Sequence, residues 1–134
     1  MIIKIISILL IALFSLTIVS GAAADRCIQT NLKEKQLTVK VDQNFNINLK
    51  SNPTTGYNWE SDYDPKYIQL VDEKYISNNP MLIGSNGKTF FKFKALKPGE
   101  TDITFKYFRS WENCLPSKEI IYHLKIQEIK SKKK

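Results

Sequence analysis

Apolar and polar residues alternate one for one along much of this chain. Leu37, Val39 and Val41 are separated by Thr38 and Lys40, and Phe45, Ile47 and Leu49 by Asn46 and Asn48. The same rhythm returns in Phe91-Lys92-Phe93-Lys94-Ala95, in Ile103-Thr104-Phe105-Lys106-Tyr107 and in Ile120-Ile121-Tyr122-His123-Leu124-Lys125-Ile126. Successive side chains of an extended strand point to opposite faces, so a period of two means a half-buried sheet. No segment carries sustained 3.6-residue apolar spacing and no internal repeat is evident, which excludes helical bundles and solenoids. Asp42-Gln43-Asn44 and Lys97-Pro98-Gly99-Glu100 supply turn residues between the runs. The pattern predicts an all-β fold, an antiparallel β-sandwich of about seven strands.

The N-terminus predicts a compartment. Lys4 precedes an apolar run from Ile5 to Val19, and Ala22-Ala23-Ala24 then offers the small residues that a signal peptidase reads. Residues 1–24 are expected to be a signal peptide; the run is short of the ~20 residues that span a bilayer, so no stable membrane anchor is expected. The mature chain then starts near Asp25, with one domain over residues 25–129 and a basic tail over residues 130–134. Lys4 is the only charge in the leader, so the mature chain keeps 19 of the 20 basic residues against 13 acidic ones, a formal charge of +6. The lysines alternate along strands instead of clustering with aromatics on a nucleic-acid module, and the leader directs the chain into the secretory pathway, so no nucleic acid is expected as a partner.

The loops carry the functional signal. Ser51-Asn52-Pro53-Thr54-Thr55-Gly56-Tyr57 lies between two strands. Pro53 fixes its own φ and pushes Asn52 toward extended geometry, Gly56 permits a positive φ, and two β-branched threonines leave few rotamers to freeze. Such a loop loses little entropy when it docks. Gly84-Ser85-Asn86-Gly87 forms a second, flexible loop, and Arg109-Ser110-Trp111-Glu112 places a guanidinium and an indole, the residue types that dominate binding hot spots, at a strand-to-strand turn. Together these loops resemble the chagasin-type inhibitors of cysteine peptidases. The resemblance runs from about Gln36 to Ile129.

That resemblance implies an immunoglobulin-like sandwich with its three loops gathered at one end. It implies a reversible, tight-binding inhibitor of papain-like, cathepsin-L-like cysteine peptidases that occludes the active-site groove. Asn52, Pro53, Thr54, Thr55, Gly56 and Tyr57 would form the first contact loop, with Thr54, Thr55 and Gly56 over the catalytic Cys–His pair. Gly84, Ser85, Asn86 and Gly87 would lie along the unprimed side, and Arg109, Ser110 and Trp111 on the primed side. Two positions depart from the family pattern: Asn86 stands where a glycine is usual and Ser110 where a proline is usual. Asn tolerates positive φ, so the glycine loop is expected to keep its shape. Ser110 removes a backbone restraint beside Trp111 and restores an N–H donor.

Cys27 and Cys114 enter a compartment where disulfides persist, and sandwich topology brings the first strand's start to the last loop, so a bridge is expected over free thiols. A loop of that length corresponds to about 4–5 kcal/mol in the chain-entropy model. A catalytic cysteine is disfavoured because His123, the only base available, lies within a strand. The chain is not expected to be an enzyme: the loops carry no paired carboxylates, nucleophile–base set or metal cluster. No cofactor or metal is expected, and lone His123 should face solvent. Trp59 is expected in the core, whereas Tyr63, Tyr67 and Tyr75 fall in an irregular middle region where packing and surface positions stay open. Asn52-Pro53-Thr54 is no glycosylation sequon because of its proline. A solvated tail is expected from Lys130 to Lys134. The rival function is a secreted immunoglobulin-like adhesion or glycan-binding module. A monomer in the secretory pathway is expected, either secreted or held in lysosome- or phagosome-like vesicles.

Overall fold

The computed structural model describes residues 31–130. The expected signal peptide over residues 1–24, Cys27 and the tail residues 131–134 lie outside the described residues. Seven strands account for most of the rest: β1 (Asn31–Lys40), β2 (Asn44–Ser51), β3 (Asn58–Tyr63), β4 (Ile68–Ser77), β5 (Gly87–Ala95), β6 (Gly99–Phe108) and β7 (Lys118–Gln127). They form two sheets, one ordered β1-β7-β6-β3 and the other β2-β5-β4. This is the immunoglobulin-like sandwich that the alternation and the family resemblance imply.

The sandwich is not wholly antiparallel. Chain direction reverses at each turn, so odd-numbered strands run one way and even-numbered strands the other. Neighbours of unlike parity therefore pair antiparallel, as β2–β5, β4–β5, β3–β6 and β6–β7 do. β1 and β7 share parity and lie side by side, so they pair parallel, from Asn31 opposite Lys118 to Lys40 opposite Gln127. The cause is that β1 leaves its sheet at once. The turn after Lys40, with Asp42 at φ 61°, carries the chain across to β2 in the other sheet.

The inward sides of both sheets meet in one core. Phe91, Phe93, Ile103 and Phe105 are fully buried, with Leu49, Trp59, Tyr107 and Leu124 close around them. Phe105 packs against Phe91 at 4.9 Å and edge-on against Phe93 at 6.2 Å between ring centroids. Burying one such ring contributes about 1.5–3 kcal/mol, so this cluster dominates the sandwich's stability. Trp59 belongs to it, as expected, and its Nε1 donates to Lys50 O at 2.9 Å.

The expectation of an irregular middle region needs correcting. β3 runs to Tyr63, and β4 is a ten-residue strand. Its register slips between Leu70 and Asp72 in a bulge at Val71, which swaps the faces of every later residue. Tyr63 and Tyr67 pack on the core, whereas Tyr75 is exposed and donates its hydroxyl proton to Ser85 O at 3.0 Å.

Candidate functional site

Alternating strand direction places the β2–β3, β4–β5 and β6–β7 loops at one end of the sandwich. The first loop is a single 3₁₀ turn over Pro53–Thr55. Pro53 sits where a missing N–H costs nothing, and Gly56 closes the turn at φ 83°, a left-handed conformation that a side chain would strain. Gly56 N donates to Pro53 O at 2.9 Å, and Thr55 Oγ1 donates to Asn52 O at 2.7 Å. Thr54 Oγ1 donates to Asn52 Oδ1. These bonds leave Thr54 and Thr55 exposed at the tip with their rotamers held.

Asn52 is the hub of the end. Its backbone N–H donates to the Tyr107 hydroxyl at 3.0 Å, anchoring the loop to β6. Its side-chain amide donates to Asn86 Oδ1 at 2.9 Å and, at the long limit of 3.4 Å, to Gly84 O, which ties in the second loop.

Arg109 ties in the third. Its Nε donates to Thr55 O at 3.0 Å, its Nη1 pairs with Glu112 Oε1 at 2.8 Å, and the guanidinium lies 4.4 Å from the centre of the Tyr57 ring. The hydrogen bond to Glu112 pushes its pKa further up, against some desolvation. Tyr57 in turn stacks on Tyr107 at 5.2 Å. Trp111 covers Gly56 so closely that a Cβ there would overlap Cη2 and lie 2.7 Å from Cζ2, yet the indole is 68 % exposed. Ser110, also exposed, sits between the brace and the indole.

The second loop departs from its expected form. Gly87 is the buried first residue of β5; a Cβ there would collide with Ile76 O and the Tyr75 ring, so its role is close packing, and it is not on the presented surface. Gly84 has the positive φ, 82°, whereas Asn86 does not use the left-handed region. Ser85 Oγ bonds Ser77 Oγ, and Asn78 N donates to Asn86 O at 2.9 Å, so the base of the loop is fastened. Its tip holds three residues that pattern reading passed over: Met81, Leu82 and Ile83 are 95 %, 60 % and 100 % exposed. The signal was available, an apolar triplet between Pro80 and Gly84 with no alternation to make it a strand.

Cys114 lies in the third loop and is not a free thiol. His123 sits on the outer face of β7, as expected for a solvent-facing residue, but between two carboxylates. Its Nδ1 is 2.8 Å from Asp102 Oδ1 and its Nε2 3.8 Å from Glu34 Oε2. The Asp102 hydrogen bond, helped by both charges, raises its pKa above the ordinary value.

A family model described as chagasin family peptidase inhibitor I42 matches residues 38–126. The chain belongs to the chagasin family of peptidase inhibitors. Inhibitors of this family are not enzymes. Among curated proteins this inhibitor is 32 % identical over 75 residues to Amoebiasin-1 of Entamoeba histolytica, covering 56 % of this chain and 74 % of that one. It is 32 % identical over 80 residues to Chagasin of Trypanosoma cruzi, covering 56 % and 73 %. Among solved structures it is similar to the cysteine protease inhibitor EhICP2 from Entamoeba histolytica, with a TM-score of 0.64, 24 % identity and coverage of 73 % and 96 %. PbICP-C, in a structure of its complex with falcipain-2, gives a TM-score of 0.60 at 21 % identity and coverage of 74 % and 92 %. At those identities the two structures speak for the fold.

Proposed function

We propose that this chagasin-family cysteine peptidase inhibitor works reversibly, by filling the active-site groove of papain-like enzymes with its three loops. The observation that carries the proposal is the cross-bracing: Asn52 holds the second loop, Arg109 holds the first, and Trp111 lies on Gly56. Loops already fixed in one shape lose little freedom on docking, so more of the contact energy appears as affinity. What they present is apolar or small: Thr54 and Thr55 in the centre, Met81 to Ile83 on one side, Trp111 on the other. An extended groove is the complement of such a row, and blocking it needs no chemistry from the inhibitor. PbICP-C, which shares the fold, is found bound to falcipain-2. Arg109 and Gly87 enter as supports of this surface, since the guanidinium is engaged within the protein and Gly87 is buried.

Titrating the chain from Asp25 onward into papain and a cathepsin-L-like peptidase tests this directly. Inhibition competitive with a peptide substrate, recovery on dilution, an uncut inhibitor and no effect on trypsin are expected; unchanged papain activity at stoichiometric inhibitor refutes it.

Action along the secretory route and a Cys27–Cys114 bridge belong to the same proposal. The apolar leader supports the first. For the second, Asn31 N donates to Ser117 O at 3.4 Å, so β1 starts beside the loop that holds Cys114. Mass spectrometry of the secreted protein should find two hydrogens missing; full alkylation without reductant would count against the bridge.

A further inference from the structure

The two outer faces of the sandwich carry opposite charge. Strand registers assign each residue to a face. On the β2-β5-β4 sheet the outward positions include Lys50, Lys74, Lys88, Lys92 and Lys94 against one carboxylate, Asp72, an excess of four positive charges. On the other sheet Glu34, Glu60, Asp62, Glu100, Asp102 and Glu119 point outward against Lys40, Lys106 and Lys125. Neighbouring strands lie about 4.8 Å apart and alternate residues of one strand about 6.8 Å, within the Debye length of about 8 Å at physiological salt, so the lysine fields add.

Folding alone does not account for the positive face. Lys50 and Lys88 are directly opposed across β2 and β5, a like-charge pair that costs stability. Among the described residues Lys94 has a carboxylate partner, Asp42 at 3.6 Å, whereas no carboxylate lies within ion-pair distance of Lys50, Lys74, Lys88 or Lys92. Beside the lysines, Asn44, Asn46 and Asn48 form an outward row along β2. The face runs along the side of the sandwich: Lys92, Lys94 and the asparagine row lie away from the loops, whereas Lys50 and Lys88 reach a cavity shared with Asn52, Thr55 and Asn86 at the loop end.

We propose that this face binds a linear sulfated polysaccharide. Lysine ammoniums answer the sulfates, and the amide row donates to and accepts from sugar hydroxyls, chemistry that an acyl layer would not reward. Phe90, half-buried at the centre of the sheet, and Ile76, exposed opposite Lys88, offer apolar edges to the sugar rings but too little apolar surface to hold a bilayer. A neutral glycan would call for a row of aromatics, whereas the outward positions here are mostly lysine and asparagine, with Phe90 alone among them aromatic. A polysaccharide held along Lys92, Lys94 and the asparagine row leaves the loop tips uncovered, so the bound protein remains able to inhibit a peptidase. The proposal stands independently of which peptidase is bound.

The test uses heparin as probe, with three proteins compared by calorimetry or retention at graded salt. Lys74→Gln/Lys92→Gln removes two charges from the positive face; Lys106→Gln/Lys125→Gln removes the same number from the opposite face. Wild type should bind heparin in a salt-dependent way, and the first double variant should bind at least tenfold more weakly while the second stays within twofold. Both should keep the wild-type melting temperature, and the single Lys92→Gln should show an intermediate loss. Desulfated heparin should not bind, and heparin-loaded wild type should inhibit papain as well as the free protein does. Failure of wild type to bind heparin, or equal loss in both double variants, overturns the proposal. So does lysine-dependent binding to phosphatidylserine vesicles that heparin fails to compete.

Discussion

Gly56→Ala separates the work done by the first loop from that done by Trp111. At φ 83° alanine pays the left-handed penalty, about 1–2 kcal/mol. Its Cβ would also stand 2.7 Å from Trp111 Cζ2 and nearer still to Cη2, where ordinary contact begins beyond 3.4 Å. The indole must move, and being 68 % exposed it can swing outward without disturbing the core. The loss of stability should therefore stop near the backbone penalty, lowering Tm by roughly 5–15 °C for a domain of about 100 residues. Inhibition should fall further than that loss implies. If Trp111 is a hot spot of about 2 kcal/mol, displacing it weakens the inhibition constant about thirtyfold. The assay is a double-mutant cycle, measuring inhibition of papain by wild type, Gly56→Ala, Trp111→Ala and the double variant. Acting through one ring, the two changes should be strongly non-additive, with the double variant little worse than Trp111→Ala alone. Additive losses, or a Gly56→Ala protein that inhibits like wild type, refute the idea that Gly56 exists to seat the indole.

Three further outcomes follow from the same geometry. Arg109→Ala should speed dissociation from the peptidase with little change in association rate, and Arg109→Lys should not restore it, because an ammonium cannot serve Thr55 O, Glu112 and the Tyr57 ring together. Stopped-flow association and dissociation rates check this, and full rescue by lysine contradicts the bracing role. Ser110→Pro should slow dissociation by stiffening the segment that carries Trp111, and loss of inhibition in a folded Ser110→Pro protein would reveal a contact made by Ser110 itself. His123 has a raised pKa, so its stabilising contribution is full below about pH 6.5, the unfolded value, and is lost as pH rises through the higher folded value. Melting curves from pH 5 to 9 should show that the advantage of wild type over His123→Gln shrinks upward through this window; a constant difference would mean that the carboxylates do not act through the imidazolium.

Where one face of a strand carries three apolar residues in succession, as Phe45, Ile47 and Leu49 in β2, Phe91, Phe93 and Ala95 in β5, and Ile103, Phe105 and Tyr107 in β6, alternation alone locates the strand. It fails at β4 because the Val71 bulge swaps the faces: Ile68 and Leu70 point inward before it, Glu73 and Tyr75 after it, and no single apolar period survives. It fails at β3 because Ser61 shares the inward side with Trp59 and Tyr63. Pairing direction is likewise invisible to a period of two, so the parallel β1–β7 pair emerges only with the sheet order. At the loop end, composition marks Pro53, Gly56 and Trp111 because their backbone or surface demands are local. Arg109 looks like a free contact residue, since its acceptor on Thr55 lies in a loop 54 residues earlier in the chain. Gly87 looks like a loop residue because nothing local reveals Tyr75 and Ile76 against its Cα.

The parallel pairing of the first and last strands also decides how the domain resists being pulled. β1 starts at the loop end and β7 finishes at the opposite end, with ten residue pairs between them. Tension applied through the chain on either side of the domain drags these strands past one another along their length. The hydrogen bonds between them are then loaded together in shear and must rupture nearly at once, whereas an antiparallel pair pulled from one end would unzip bond by bond.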